Sequence, residues 1–307
     1  MKKTILATAA VLAMSGTAMA GSLVDINQLG VDNVASSAQL TGNGNEAHIR
    51  QAGDQNRSIS KQDGSGNYLR VRQSTSHNAV GDASANTELS QTGKNNEAYV
   101  DQMGGDFNKV KKAVQIGDDN SLKVKQDGTA NLVADTRQDG KRNAIVIKQN
   151  DDQNEVRKAV QDGNDNTLNV TQASYKNLVT TAESHGNGNA INVKQNGSWN
   201  GQGNNLNGTI SGMPVTEANF SLHGATRQAS TVVQNGNSNT AKINENGFGQ
   251  SFEIYQGFGG NTSTGSTVVL TQNDAVNYAY AQQTGSDHTA NITQGGHLNR
   301  VFVKQAN

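Results

Sequence analysis

The chain has 307 residues and a formal charge of −1; 33% of it is hydrophobic and 4% aromatic, with 34 Gly, one Pro and no Cys. That excludes an ordinary globular core, a disulfide scaffold or thiolate metal site, and the basic footprint of a nucleic-acid binder. Disorder or a repeat architecture remains, and periodicity separates the two.

Residues 1–20 read as an export signal. Lys2 and Lys3 form a positive n-region, Ile5 to Met14 an apolar run too short to span a bilayer, and Ala18-Met-Ala20 a small-residue cleavage site. Cleavage after Ala20 leaves 287 residues, 21–307, with a formal charge of −3. We expect one repeat domain over that range.

From Gln28 onward one phrase recurs, Q-x-G-x-x-N, starting at Gln28, Gln51, Gln62, Gln91, Gln115, Gln126, Gln138, Gln161, Gln195, Gln234 and Gln294. Degenerate copies start at Gln73, Gln149, Gln172, Ser184, Glu245, Gln256, Gln272 and Gln283. Gln115 to Gln138 shows its logic: Asn120, Leu122, Val124 and Gln126 are two residues apart and so share one face of a strand, while Ser121, Lys123 and Lys125 take the other. Gly128 marks the reversal. Between 115 and 195 the anchors advance in alternating steps of 11 and 12 residues. A rung of about 23 residues, strand-turn-strand-turn, follows, and the fold class expected is all-β: a β-solenoid of stacked repeats with two facing parallel sheets, cross-β in character. Two stretches break the period. One is Gln73 to Gln91, which lacks clear anchors; the other is an irregular insertion near 200–228 that contains Pro214.

Stacking at ~4.8 Å per rung turns the anchors into rows. Leu122, Val124, Ile145, Ile147, Leu168, Val170, Ile191 and Val193 become apolar columns. The expected amide ladders comprise Gln51, Gln62, Gln91, Gln115, Gln126, Gln138, Gln149, Gln161, Gln172, Gln195, Gln234, Gln256, Gln272, Gln294 and Gln305. Beside them run Asn56, Asn67, Asn96, Asn120, Asn131, Asn143, Asn154, Asn166, Asn177, Asn189, Asn239 and Asn299. Amides carry both donor and acceptor, so like amides stacked at strand spacing satisfy each other. Glu245 at an anchor is an exception. The turn glycines are Gly53, Gly64, Gly93, Gly117, Gly128, Gly140, Gly163, Gly197 and Gly236. Asp118, Asp119, Asp127, Asp139, Asp151 and Asp152 fall in turns, where solvated turn chemistry is the plain reading and gatekeeping against premature aggregation the functional one.

The phrase N-x-h-x-h-x-Q-x-G-x-x-N, as in Asn120-Ser-Leu122-Lys-Val124-Lys-Gln126-Asp-Gly128-Thr-Ala-Asn131, resembles the curlin repeat of bacterial curli subunits; Asn166-Thr-Leu168-Asn-Val170-Thr-Gln172 carries it too. Asn here mostly replaces the Ser that curlins usually have first. The resemblance covers roughly 28–200 and 230–305, with more repeats than usual members carry and no Gly-rich leader after residue 20. It implies export through a dedicated outer-membrane pore with a periplasmic chaperone, and a nucleator subunit as partner. It also implies polymerisation of the chain with itself into extracellular amyloid fibres of the biofilm matrix; a nucleating minor subunit is the related alternative. A soluble adhesive or ice-binding solenoid would need a regular Thr-x-Thr outer face and capped ends; the outer positions mix Lys, Ser, Ala, Arg and Glu, and no cap is legible. Enzymatic function, a cofactor and a catalytic or metal site are not expected: the six His are scattered and the acids favour turns.

Overall fold

The structure is a computed structural model that describes residues 8–9, 21–81, 87–201, 208–210, 213–215 and 230–307. It is a β-solenoid of eleven turns with no helix among the described residues. Each turn gives one strand to each of two facing sheets, and every strand pairs in parallel with its equivalent one turn on. The first sheet has eleven strands, from Leu23–Leu29 through Ser121–Asp127 and Ala144–Asn150 to Thr289–Gln294. The second runs from Val34–Gln39 through Lys109–Asp118 and Leu132–Lys141 to Arg300–Ala306. The expected export segment lies outside the described residues except Thr8–Ala9, whose backbone pairs with Val34 and Ala35. The expected insertion is described only at its start and in an antiparallel hairpin, Gly208–Ile210 with Met213–Val215. Gln195 pairs with Glu245 across it, so the strands before and after the insertion keep the register.

The alternation of 11- and 12-residue steps has a structural cause. In the first sheet Leu122, Val124 and Gln126 point inward at strict two-residue spacing. In the second, Val110, Ala113 and Gln115 point inward while Lys111 and Lys112 both face out. Val110, Val133 and Val156 pair in turn, as do Lys112, Asp135 and Lys158, so these three strands carry the same one-residue bulge and the bulges stack, whereas Val34–Gln39 and Arg57–Ser65 keep plain alternation. Between 115 and 161 that bulge supplies the extra residue of each 12-residue step. In the third turn the same place carries more chain: Ala79–Val80 and Leu89–Lys94 continue one strand line around an excursion. Gln73 to Gln91 is therefore anchored after all, by Asn78, which is fully buried.

The core is thin and dry. The apolar columns predicted from sequence all belong to the first sheet: Leu122, Ile145, Leu168 and Ile191 form one, Val124, Ile147, Val170 and Val193 the next. Facing them, the second sheet supplies smaller side chains, Val110, Val133 and Val156 beside Ala113, Thr136 and Ala159. Large against small holds the sheets at constant separation. Where Phe252 enters the core, the next turn answers with Ala279 and Ala281.

Candidate assembly site

Four columns of polar side chains, all deeply buried through the middle of the stack, run beside the core. The first holds Gln28, Gln51, Gln73, Gln102, Gln126, Gln149, Gln172 and Gln195 of the first sheet, each donating Nε2–H to the Oε1 of the next at 2.7–2.9 Å as far as Gln195. The second column holds Gln39, Gln62, Gln91, Gln115, Gln138 and Gln161, linked at 2.9–3.2 Å, and resumes with Gln234, Gln256, Gln283 and Gln305. The second Nε2 proton ties the sheets together: Gln149 reaches the Leu132 carbonyl at 3.0 Å and Gln138 that of Ser121 at 3.0 Å. Every glutamine-to-glutamine bond between turns points the same way, from N-terminal to C-terminal turn.

The asparagines form the other two columns, one at each corner; some pair amide to amide, as Asn96 with Asn67 and Asn120 with Asn96 at 3.1 Å, and they also bond the backbone of neighbouring turns. Asn120 Oδ1 accepts from the backbone N–H of Asn143 at 3.0 Å, and Asn143 Oδ1 from that of Asn166 at 3.1 Å. Their Nδ2 groups donate to the carbonyls of Gly140 and Gly163 at 2.8 and 2.7 Å. Asn67, Asn96, Asn166, Asn189 and Asn239 lie in this column; Asn33, Asn56, Asn78, Asn108, Asn131, Asn154, Asn177, Asn200, Asn277 and Asn299 line the opposite corner. One methylene shorter than Gln, Asn reaches the backbone of the adjacent turn, and so closes both a strand start and a glycine carbonyl.

That bond explains why Gly and Asn recur together. Gly117 has φ +104°, and a Cβ there would stand 2.0 Å from the Gly140 carbonyl oxygen; the same holds between Gly140 (φ +126°) and Gly163. Only a residue without a side chain lets corners stack this closely. Gly64, Gly93, Gly163 and Gly236 share this corner, and Gly53, Gly128 and Gly197 the other. The residue before each Asn takes the left-handed region even without Gly: Asp119, Ala130 and Arg142 lie at φ 54–58°.

Sequence reading missed Gln28, Gln39, Gln73, Gln102 and Gln283 as ladder members. Gln39 and Gln102 stand six residues from Asn45 and Asn108 where the phrase demands five. The strands' register, which sequence does not print, brings them into column. Two positions interrupt the amides. Ser184 follows Gln161 and precedes Gln234 in register, and Gln161 Nε2, Ser184 Oγ and Gln234 Oε1 are buried without partners among the described residues. Glu245, fully buried, accepts from Gln195 at 2.8 Å, and the Oε1 of Gln272 one turn on has no donor.

Four of the turn aspartates bond between turns, and Asp127 and Asp139 pair within their own strands. Asp152 accepts from the Thr129 N–H at 2.7 Å, Asp151 from that of Ser174 at 3.0 Å, and Asp119 from the Asn95 amide at 3.3 Å. Asp118 pairs with Lys141 at 2.9 Å, which holds its carboxyl below the usual range; Asp127 pairs with Lys125 and Asp139 with Arg137. On the outer face of the second sheet His185 bonds Glu183 at 3.4 Å and Asp162 at 2.9 Å. Glu183 raises the imidazole above its ordinary value, and Glu183 is itself held low by His185 and Lys158. Farther on, Tyr278 and Tyr255 donate to the buried Glu253 at 2.7 and 3.1 Å, and burial with that carboxylate pushes both phenols up. Among the described residues no cluster of three His, Cys, Asp or Glu is placed to hold a metal ion.

The curlin associated repeat matches residues 21–53 and 42–74. Those two overlapping stretches span the first two turns and run into the third, whose side chains enter the same four columns as the turns after them. No curated protein matches the chain.

Proposed function

We propose that this chain, whose opening turns carry the curlin associated repeat, is an exported structural subunit that stacks on further copies of itself, end to end, into extracellular curli-like amyloid fibres for surface adhesion and the biofilm matrix. The observation that carries the reading is the uniform direction of the glutamine bonds. Apart from the turns of Ser184 and Glu245, each turn offers donors on one side and acceptors on the other, so adding a turn extends a ladder without rearranging it.

The outermost described turns support it. In the first, the Oε1 of Gln28 has no partner among the described residues, and Leu23, Leu29 and Val34 are exposed. In the last, Gln305 Nε2 bonds only within its own turn, to the Thr289 carbonyl, and Phe302 is half exposed. One such edge fits the other: donors meet acceptors and apolar side chains meet apolar side chains. By the repeat's likeness, a nucleating subunit, an outer-membrane secretion pore and a periplasmic chaperone are the partners of this process.

Freshly desalted chain from Gly21 onward, followed by light scattering and thioflavin fluorescence, tests it. Seeded growth into thioflavin-positive fibres is expected. A chain that stays folded and monomeric at high concentration removes the reading.

A further inference from the structure

The two outer faces differ in charge pattern. On the second sheet the signs interleave: Lys112, Asp135 and Lys158 follow one another in register, Lys158 pairs with Glu183, and Arg137 with Asp139. Such a face neutralises itself. The first sheet does not. From Ala144–Asn150 to Thr289–Gln294 its strands contain one acid, Glu245, which points into the core. Their outward positions hold Lys148, Lys194 and Lys242, exposed and without an acidic partner among the described residues, amid Thr, Asn, Ala and Val. Thr and Asn fall into register there, as at Thr240, Thr267 and Thr289, so the face is more regular than the mixture expected from sequence. Asp151, Asp152 and Asp274 lie in the turns past the strand ends.

The cations also form a line. Lys125, Lys148, Thr171 and Lys194 are consecutive register partners, a straight row along the solenoid axis at ~4.8 Å per step. Lys125 and Lys148 border an open groove of about 450 Å³ whose walls include Tyr99, Val146 and Asp101. Asp101 is largely buried and held by Arg70 and Arg72, whereas the Lys125–Asp127 pair at 3.2 Å is exposed on both sides, a weak pair that a ligand carboxylate can replace.

We infer that this outer face binds an extended anionic polysaccharide of the polyuronate kind laid along the axis. Lys125, Lys148 and Lys194 meet its carboxylates, the Thr and Asn rows its hydroxyls, and the Tyr99–Val146 wall a sugar ring. A flat surface with cations in a line and hydroxyl and amide groups between them complements a chain that carries a carboxylate and several hydroxyls on each unit. Nucleic acid, a denser line of charge, calls for a more strongly basic surface. The face lies away from the stacking edges, so the inference stands or falls independently of fibre assembly.

Soluble alginate titrated over the immobilised chain, with neutral dextran and duplex DNA alongside, is the test. Alginate is expected to bind, dextran not to, and added salt to weaken the binding. The variant K125Q/K148Q/K194Q should lose affinity at least about tenfold, whereas K109Q/K111Q/K112Q on the opposite sheet should not. Alginate binding no better than dextran, tighter binding of DNA, or equal loss in both variants overturns the inference. Because the unaltered chain and its salt dependence are read first, a variant that folds poorly does not leave the question open.

Discussion

Asn143 shows what one residue of the repeat does. Its side chain is buried, accepts from Asn166 N–H and donates to the Gly163 carbonyl, so its removal strands two backbone groups of the next turn. Asn143→Ala should lower unfolding free energy by about 2–4 kcal/mol, and Asn143→Asp, which sets a buried carboxylate oxygen against the Gly163 carbonyl, by at least as much. A denaturant titration in which Ala costs under ~0.5 kcal/mol would show that water takes over these bonds. Ser184 offers the reverse experiment. Gln161 Nε2 and Gln234 Oε1 are two turns apart with only a hydroxyl between them, all three polar atoms buried and unmatched. Ser184→Gln should rejoin the column and stabilise the chain by about 1 kcal/mol; a lowered midpoint would mean that the site lacks room for the longer amide. That Gln and Asn recur at strand spacing was legible in sequence because strand side chains repeat every two residues. The Asn bond to backbone was not, since it depends on which atoms of the neighbouring turn lie within reach.

At the scale of the strand, the steps of 11 and 12 were visible in the sequence but not their cause, the stacked outward bulge typified by Lys111 and Lys112. A bulge is a matter of register between turns, and a single turn read alone has none. The first-sheet strands follow the plain alternation that sequence displays, although Gln28, Gln73 and Gln102 were not read as ladder members; the second-sheet strands with a bulge, typified by inward residues at 110, 113 and 115, depart from it. The outer face of this second sheet also holds the pH-sensitive group. His185 titrates above its ordinary 6.5, chiefly through Glu183. A raised imidazole stabilises fully below about pH 6.5, and that contribution fades as pH rises through the folded value. Glu183, held below 4.5, acts in the opposite sense and withdraws its share on acidification. Urea midpoints of the native chain should therefore decline on going alkaline from pH 6.5, and His185→Gln should flatten that limb. Parallel limbs in the two proteins would assign the decline to other groups.

Across the whole molecule the ladders give the solenoid a direction. From Gln28 to Gln195 every Nε2 points toward the C-terminal turn, and the second sheet agrees from Gln39 to Gln161 and again from Gln234 to Gln305. Copies joined with the same polarity bring the donors of Gln294 and Gln305 to the acceptors of Gln28 and Gln39; copies joined head to head set acceptor against acceptor. Self-assembly by open-ended stacking thus makes a definite demand on fibre geometry, and electron cryo-microscopy of fibres grown from the chain beyond residue 20 reads it most directly. The account predicts sheets that continue at ~4.8 Å across each junction, all subunits pointing one way, with the turn of Gln294 seated on the turn of Gln28. Subunits of alternating polarity, or junctions where the glutamine columns stop, would contradict it.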